Sequence, residues 1–415
     1  MLDDFGQRIR DIILSEMDLS RELSDEEICD LIGSVVSREA RDRPMTIKDR
    51  AELERTIFNS LRKLDVLQEL VDDRDVTEIM VNGPNDIFYE KAGRIQRFKG
   101  HFSSEEKLED VIQQIVGRHN RVVNQASPIV DTRLSDGSRV NIVLNPISIG
   151  GSAVSIRKFP EHPMSMERLV EIEALSPEVA RLLQILTQAK YNIFISGGTG
   201  SGKTTFLNAL SQYIPDDERI ITIEDSAELQ LLGAKNIVRL ETRNANTDGV
   251  TPITIRDLIR TALRMRPDRI IVGECRGAEA LDMLQAMNTG HDGSLTTIHA
   301  NSPRDSISRI ETMVMMSGSE LPSKAIRDQV ASAINVIVQQ ARLRDGSRKV
   351  TSISEIVGME GDVIRMQDIF TYETEGEMDS NGKFKGSFKA TGIIPKCVEK
   401  IRENGVVVNN DWFND

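Results

Sequence analysis

The chain has 415 residues, too many for one compact hydrophobic core, so its length predicts two or three domains. Its composition, 39% hydrophobic and 28% charged, is that of an ordinary folded protein and excludes disorder of the whole chain. The net charge of −13 argues against a surface that neutralises nucleic-acid phosphates, and no apolar run approaches the roughly 18–20 residues that span a bilayer.

The beginning of the chain and its cysteines both indicate a reducing, cytoplasmic location. Residues 1–5 lack the basic segment followed by an apolar one that marks a secretory signal. Cys29, Cys275 and Cys397 lie far apart and form no Cys-x-x-Cys pair, so we expect neither a disulfide framework nor a zinc site. The chain is therefore expected to stay in the cytosol and to reach a membrane only by docking.

Residues 1–62 predict a short helical segment, because apolar residues recur at helical spacing, as at Leu53, Ile57 and Leu61. Residues 63–159 predict an α+β domain. Its helix is expected at about 104–118, and its strands at 76–81, 86–89, 94–98, 139–144 and 153–157. Pro160 and Pro163 break the pattern, so residues 160–170 are expected to link two domains.

Residues 171–345 alternate helix and strand, which predicts an α/β domain whose parallel sheet is covered on both faces. Helices are expected at 177–189 and 204–213, and strands at 192–196, 219–224, 269–272 and 294–298. Residues 346–415 are expected to extend this domain. Within them, residues 371–392 predict an appended hairpin with turns at 381–383 and 385–387.

A complete phosphate-binding loop lies between the predicted strand at 192–196 and the helix that follows. Its nine residues are Gly197, Gly198, Thr199, Gly200, Ser201, Gly202, Lys203, Thr204 and Thr205. Glycines let successive backbone N–H groups converge on phosphate oxygens, and the helix directs its positive end towards them. We expect Lys203 to bind the β- and γ-phosphates of ATP and Thr204 to bind Mg²⁺.

Two further strand patterns end in carboxylates. The apolar run at 269–272 leads to Glu274, with Gly273 where a strand-end aspartate is usual, and we expect Glu274 to orient or deprotonate an attacking water. The run at 219–223 ends in Glu224 and Asp225. Because Mg²⁺ would offset repulsion between carboxylates and phosphates, Glu224 is predicted to act through the metal. Asp225 fits either that role or the capping of the next segment.

A third strand pattern, at 294–298, ends at His299. Phosphoryl transfer depends chiefly on positioning and on charge stabilisation, so we expect His299 to sense the γ-phosphate rather than to move a proton. His291, in a Gly-His-Asp-Gly turn, is a weaker candidate. Arg256, Arg260 and Arg264 share one helical face, which fits either an ion-paired surface or a subunit boundary.

Together these motifs resemble the secretion ATPase superfamily, which drives type II and type IV secretion and type IV pili. They are most similar to the CpaF/TadA-type motor of tight-adherence pili. The likeness begins near Asp65 and rests on residues 197–205, 222–229, 263–277 and 290–301. It implies a RecA-like P-loop ATPase domain preceded by a PAS-like α+β domain. The four-cysteine zinc element of many relatives is absent, which favours the tight-adherence or type IV secretion branch.

The resemblance also implies how the protein works. It implies a homo-hexamer at the cytoplasmic face of the inner membrane, held there by an inner-membrane platform protein on which ATP hydrolysis does work. It implies that the nucleotide lies between the two domains, with Arg139 and Arg157 reaching towards it from the N-terminal one. Cys275 stands where many relatives carry a small apolar residue, a mild change if the side chain is buried.

The sequence-based expectation is a motor for assembly, and also for retraction, of a type IV or tight-adherence pilus or for protein secretion. A type IV secretion ATPase that exports substrate is the alternative. A nucleic-acid motor is disfavoured by the acidic charge and by the 4% aromatic content, since single-strand grooves combine basic residues with stacking rings. A regulatory nucleotide switch that does no mechanical work remains open.

Overall fold

The structure is a computed structural model that divides into two compact units, Met1–Glu161 and His162–Asp415. The residues that it describes are 4–17, 21, 23–41, 43, 45–91, 93–118, 122–159, 164–231, 233–243, 251–378, 382–403 and 408–414. Residues 160–163 of the predicted linker lie outside this set, and the five-part division of the chain stays a prediction. Residues 166–170, also assigned to the linker, are helical in the structure.

Three helices open the first unit: α1 (Asp4–Glu16), α2 (Asp25–Glu39) and α3 (Ile47–Arg62). Both α2 and α3 begin with a capping box, in which the cap hydroxyl and an acid three residues on satisfy backbone N–H groups reciprocally. Their apolar faces share a small core that includes Ile57, with Leu53 and Leu61 packed against it. The apolar residues whose helical spacing predicted this segment therefore form the face on which its helices pack.

The remainder of the first unit is an antiparallel sheet with its own core. In chain order its elements are α4 (Gln68–Asp72), β1 (Val76–Asn82), β2 (Ile87–Lys91), β3 (Arg94–Arg97), α5 (Glu105–Gly117), β4 (Ile129–Arg133), β5 (Arg139–Val143) and β6 (Ala153–Arg157). The strand order is β3-β2-β1-β6-β5-β4. The predicted strands and helix are present, whereas α4 and β4 were not predicted from the sequence.

The second unit opens with four helices and four strands of a larger sheet. These are α6 (Met166–Glu171), α7 (Pro177–Gln188), β7 (Ile193–Gly197), α8 (Lys203–Ser211), β8 (Arg219–Glu224), β9 (Asn236–Glu241), α9 (Ile255–Ala262) and β10 (Arg269–Cys275). It continues with α10 (Glu279–Asn288), β11 (Leu295–Ile298), α11 (Pro303–Met316), α12 (Ser323–Ala333), β12 (Val336–Arg342), β13 (Arg348–Glu360), β14 (Val363–Met378), β15 (Phe384–Ala390) and α13 (Cys397–Glu403).

The larger sheet has the order β15-β14-β13-β12-β7-β11-β10-β8-β9 and two hydrophobic faces. Along β7, Ile193 and Ile195 enter the core on one face and Phe194 enters the core on the other. This period-2 alternation in a wholly buried strand is typical of a sheet covered by helices on both sides. The covered sheet predicted from the alternating pattern is present.

The parallel sheet predicted for residues 171–345 is present, and residues 346–415 extend it with strands of the opposite kind of pairing. Strands β12, β7, β11, β10, β8 and β9 run parallel to one another, whereas β13, β14 and β15 pair antiparallel with their neighbours. The reason is local: β12 turns into β13 within five residues, 343–347, which leaves no room for the crossover that a parallel pair requires.

The appended hairpin is a pair of long strands within this sheet rather than a separate unit. The predicted turn at 385–387 is wrong, because these residues lie inside β15. A Cβ atom at Gly386 would lie 2.6 Å from the Tyr372 hydroxyl, so glycine admits a neighbouring ring here and does not make a turn.

A buried ion pair fixes the end of the sheet opposite the strand ends that carry the predicted motifs. Arg269 is fully buried and pairs through Nε with Glu218, and its Nη2 lies 3.2 Å from Glu218 Oε1. Nη1 donates to the carbonyl oxygens of Thr187 at 2.7 Å and Gly293 at 3.3 Å. The guanidinium thus joins the start of β10 to α7 and to the turn before β11.

We predict that Arg269→Ala lowers the free energy of unfolding of the second unit by about 3–5 kcal/mol, because it leaves a buried carboxylate without its main partner. Arg264→Ala, which removes an exposed arginine from the same unit, is the control and should stay within about 0.5 kcal/mol. Urea unfolding of the full chain measures both. Equal effects of the two variants would contradict this role for the ion pair.

Candidate nucleotide site

The phosphate-binding loop occupies the turn between β7 and α8. Gly202 has φ of +95° and Gly200 has φ of +71°, a region that side chains other than glycine rarely enter. A Cβ atom at Gly197 would lie 2.5 Å from both the Gln340 carbonyl oxygen and Ser201 Oγ. The sequence is therefore glycine-rich because neighbouring backbone approaches closely and because the loop needs left-handed conformations.

Lys203 is the first residue of α8, and its side chain is mostly buried. Its Nζ donates to the Gly198 carbonyl oxygen at 2.9 Å, so the ammonium lies inside the loop. Burial lowers the pKa of Lys203, while the charge of Glu274 raises it and that of Arg276 lowers it. A desolvated ammonium within a phosphate-binding loop is a strong anchor for phosphate oxygens.

The three predicted strand ends are brought together because their strands are neighbours. Strand β11 lies between β7 and β10, so the loop, His299 and Glu274 emerge at one edge of the sheet. Between Val272 and Cys275 the pairing of β10 with β11 shifts register, and Thr297 Oγ1 donates to the Gly273 carbonyl oxygen at 2.7 Å. The pairing of β10 with β11 is therefore irregular beside Glu274.

His299 bridges the lysine and the glutamate. Its Nδ1 lies 3.4 Å from Lys203 Nζ, and its Nε2 lies 3.0 Å from Glu274 Oε1. Since an ammonium only donates and a carboxylate accepts, the neutral ring with its proton on Nε2 satisfies both contacts. Burial lowers the pKa of His299, Glu274 raises it, and the positive charges of Lys203, Arg276 and Arg309 lower it.

Arg276 was not singled out from the sequence. Its Nη2 lies 2.6 Å from Glu274 Oε2 and its Nη1 lies 3.9 Å from Asp225 Oδ2, and the hydrogen bond to Glu274 raises the pKa of Arg276. Backbone N–H groups of residues 276 and 277 both donate to Glu279 Oε1, which fixes the turn. The sequence feature that could have identified Arg276 is its position two residues after Glu274, within the motif at 263–277.

Glu224, at the end of β8, is buried beside the same strand end. Its Oε1 accepts from the backbone N–H groups of Glu228 at 2.8 Å and Leu229 at 2.9 Å, so it shapes the loop that follows β8. A Cβ atom at Gly273 would lie 2.9 Å from Glu224 Cγ, which explains the glycine where an aspartate is usual. The predicted link between Glu224 and the metal stays a prediction.

Asp225 does not cap a helix, because no helix follows it directly. Its Oδ1 accepts from Thr242 Oγ1 at 3.3 Å, while Oδ2 faces Arg276. Beside the loop, Thr204 is partly exposed and Thr205 is exposed. No group of three or more His, Cys, Asp or Glu side chains within the described residues is arranged to hold a metal by itself. A hydroxyl together with substrate phosphates is a donor set that suits Mg²⁺.

The remaining candidates lie elsewhere. His291 closes the end of α10, where its Nδ1 lies 3.2 Å from the Ala286 carbonyl oxygen. Arg256 and Arg260 both pair with Asp282 of α10, at 2.7 and 2.8 Å, so two arginines of the stripe form an ion-paired face. Cys275 is buried, as expected for a mild change, and burial raises the pKa of its thiol.

Arg139 and Arg157 belong to the first unit, where they lie directly opposite each other on β5 and β6. Side chains of such a pair share one face of the sheet. Arg157 Nε also pairs with Glu78 Oε1 at 2.9 Å, across the neighbouring strand pair. The structure thus places the two arginines side by side, and their approach to the nucleotide stays a prediction.

A cavity of about 570 Å³ begins at His299 and Arg276 and follows α11. Its other lining residues are Ala300, Asn301, Asp305, Ser308, Arg309, Thr312, Met313 and Met316. The cavity is continuous with the residues that contact Glu274. Arg309 therefore stands within electrostatic reach of His299, in agreement with its lowering of the histidine pKa.

Comparison with known proteins identifies relatives over most of the chain. Residues 60–395 match the profile of a family described as type II/IV secretion system protein. A putative conjugal transfer protein of Mycobacterium tuberculosis H37Rv is 34% identical over 333 residues, 79% of this chain and 93% of that protein. The type IV secretion system protein PtlH of Bordetella pertussis is 33% identical over 310 residues, 69% of this chain and 91% of that protein.

Among solved structures, the pilus retraction motor PilT with bound ADP is similar to this chain. The similarity covers 83% of this chain and 87% of the PilT chain. The sequence identity is 21% and the TM-score is 0.54, so this likeness concerns the fold alone. It agrees with an α/β architecture in which an antiparallel N-terminal sheet precedes a mixed C-terminal one.

The lowered pKa of His299 predicts a pH profile. Because the neutral ring bridges Lys203 and Glu274, kcat/KM for ATP should fall only as the pH drops below the ordinary histidine pKa of about 6.5. Arg309→Gln removes a charge that helps to lower this pKa, so the acidic limb should move to higher pH. The readout is ATP turnover between about pH 5 and 8.

The matched control is Arg304→Gln, which removes an exposed arginine from the same helix, outside the cavity lining. Its acidic limb should coincide with that of the unmodified chain. An unmoved limb in Arg309→Gln, or an equal shift in both variants, would show that the limb does not report on His299.

Proposed function

The chain belongs to the type II/IV secretion system protein family, and we propose that it is the ATP-hydrolysing motor of a type IV secretion apparatus that exports substrate. ATP hydrolysis is the activity of this family. The export role is supported by the relatives named above, a conjugal transfer protein and a type IV secretion protein, of which the chain spans 93% and 91%. They favour the alternative drawn from the sequence over the tight-adherence pilus motor.

The observation that carries the proposal is the contact chain from Lys203 through His299 to Glu274. Lys203 and the loop amides hold the phosphates of ATP, which places the γ-phosphate beside the other two side chains. Glu274, held by His299 and Arg276, orients the attacking water. Because His299 touches both the phosphate anchor and Glu274, it transmits the presence of the γ-phosphate from one to the other.

Mg²⁺ bound together with the ATP would neutralise charge that develops on the phosphate oxygens. Thr204, at the start of α8, would hold the ion, and Glu224, at the end of β8, would act through it. A catalytic role for Arg139 and Arg157 is part of the same proposal. The RecA-like and PAS-like descriptions of the two units belong to the same proposal.

We further propose that the protein works as a homo-hexamer at the cytoplasmic face of the inner membrane, where a platform protein holds it. Within the described residues no helix is both long and apolar enough to cross a bilayer. The proposed membrane association is made through the platform protein. The net charge of −13 supports a protein partner rather than nucleic acid. A motor exerts force on such a partner, whereas a regulatory nucleotide switch does no mechanical work.

Glu274→Gln tests the proposed function in cells of the source organism. The substitution keeps the shape of the side chain and removes its charge, so ATP turnover of the purified chain should fall by about 10²-fold or more. Export of the substrate into the medium should be lost. Glu178→Gln, at an exposed position in the first turn of α7, is the control and should leave both readouts unchanged.

Export at the control level in the Glu274→Gln strain, with or without loss of surface pili, would contradict the export role. Loss of pili with continued export would instead support the function of a pilus motor. Many-fold stimulation of ATP turnover by DNA would instead favour the nucleic-acid motor.

A further inference from the structure

We propose that Arg348 is a positioning residue of the phosphate-binding loop, which it holds from the outer side so that the loop keeps its phosphate-binding shape. Arg348 is the first residue of β13 and lies 148 positions from the loop glycine that it contacts. Its Nε donates to the Gly200 carbonyl oxygen at 2.9 Å. Its stem also covers the loop, since a Cβ atom at Gly202 would lie 3.3 Å from Arg348 Cδ.

The contact controls the direction of one backbone N–H group. A peptide unit is planar and trans, so the carbonyl of Gly200 and the N–H of Ser201 point in opposite directions. With the carbonyl turned outward to the guanidinium, the Ser201 N–H turns inward, where the Gly198 carbonyl oxygen lies 3.4 Å away. The same oxygen accepts from Lys203 Nζ, so this N–H faces the interior in which phosphate binds.

The alternative orientation of this peptide is open to the chain because Gly200 tolerates many backbone conformations. In that orientation the N–H of Ser201 would face the guanidinium, which has no acceptor and carries a positive charge. Arg348 therefore favours the phosphate-binding orientation before nucleotide arrives. Such preorganisation acts on nucleotide affinity more than on the chemical step.

The turn that precedes Arg348 is held in place by strand pairing and by hydrogen bonds. Strand β12 pairs with β7 as far as Gln340 opposite Gly197, which places the turn 343–347 beside the loop. Asp345 in this turn accepts from the Ser347 N–H at 2.9 Å and from the Phe384 N–H at 2.8 Å. Because Phe384 begins β15, the outer strand of the sheet is joined through the turn to the support of the loop.

A second arginine of this hairpin, Arg342, brings charge but, within the part of the chain that the structure describes, makes no hydrogen bond to the Gly200 carbonyl oxygen. A Cβ atom at Gly200 would lie 3.8 Å from Arg342 Nη1. Positive charge near the loop would by itself attract phosphates at long range. The test must therefore separate the hydrogen bond of Arg348 from the charge of the hairpin.

Arg348→Gln in the full chain tests the proposal. Loss of one charge-assisted hydrogen bond at an exposed position should raise the Kd for ADP and the KM for ATP by about three- to tenfold, and kcat should stay within about twofold. Calorimetric titration with ADP and steady-state ATP turnover give these numbers. Arg348→Lys keeps the charge without the planar donor and should restore less than half of the lost affinity.

Arg344→Gln is the matched control, because Arg344 is exposed in the same turn and shows no hydrogen bond or ion pair within the described part of the chain. Its Kd and KM should equal those of the unmodified chain. Unchanged affinity in Arg348→Gln, an equal loss in Arg344→Gln, full restoration by Arg348→Lys, or a fall in kcat at constant Kd would each overturn the proposal. So would a drop in melting temperature beyond about 2 °C, since an exposed positioning residue should not affect folding.

Discussion

The pairing of β7 with β11 on one side and with β12 on the other is the constraint on which the site depends. The register sets Ser196 opposite Ile298 and Gly197 opposite Gln340, so the phosphate-binding loop begins level with the ends of both neighbours. The residue after Ile298 is His299, and the hairpin after Gln340 carries Arg348. Contacts between residues about 100 and 150 positions apart therefore follow from two strand pairings.

Complementary charges and hydrogen-bonding groups then arrange the side chains of the site in a row. Positive Lys203, neutral His299, negative Glu274 and positive Arg276 follow one another at distances of 3.4, 3.0 and 2.6 Å. Each side chain faces a neighbour of complementary hydrogen-bonding character, which lowers the cost of removing it from water. Arriving phosphates add negative charge next to Lys203 and must redistribute these contacts. In the proposed function, this site senses the γ-phosphate through contacts that already exist.

The parts of this site that could be read from the sequence were those that follow directly from a strand. Glu274 and His299 come after apolar runs, and carboxyl ends of parallel neighbours meet at one edge. Arg276 and Arg348 were missed because their contacts depend on a turn and on a strand order that no local pattern encodes. Glu224 was identified by its place at a strand end, yet its hydrogen bonds to the following loop appear only in the folded chain.

The fold shows the same division. Apolar periodicity predicted the helices of the first segment and most strands, since it records which faces are buried. It predicted an appended hairpin at 371–392, but not that β13 to β15 continue the larger sheet as antiparallel strands, because that depends on the length of the turn after β12. Gly386 shows a second limit of prediction from sequence. A glycine can indicate either a turn or a site where a neighbouring group packs closely, and at Gly386 only the position of Tyr372 distinguishes the two.

The most direct test of this account is a double-mutant cycle on ATP turnover with His299→Gln and Glu274→Gln. If His299 acts by holding Glu274 and reporting on the γ-phosphate, the two residues work as one unit. The double variant should then be no more than about threefold slower than the slower single variant. A kcat reduced by the product of the two single effects would mean that the residues act independently, and would contradict the contact chain from Lys203 to Glu274 as the basis of hydrolysis.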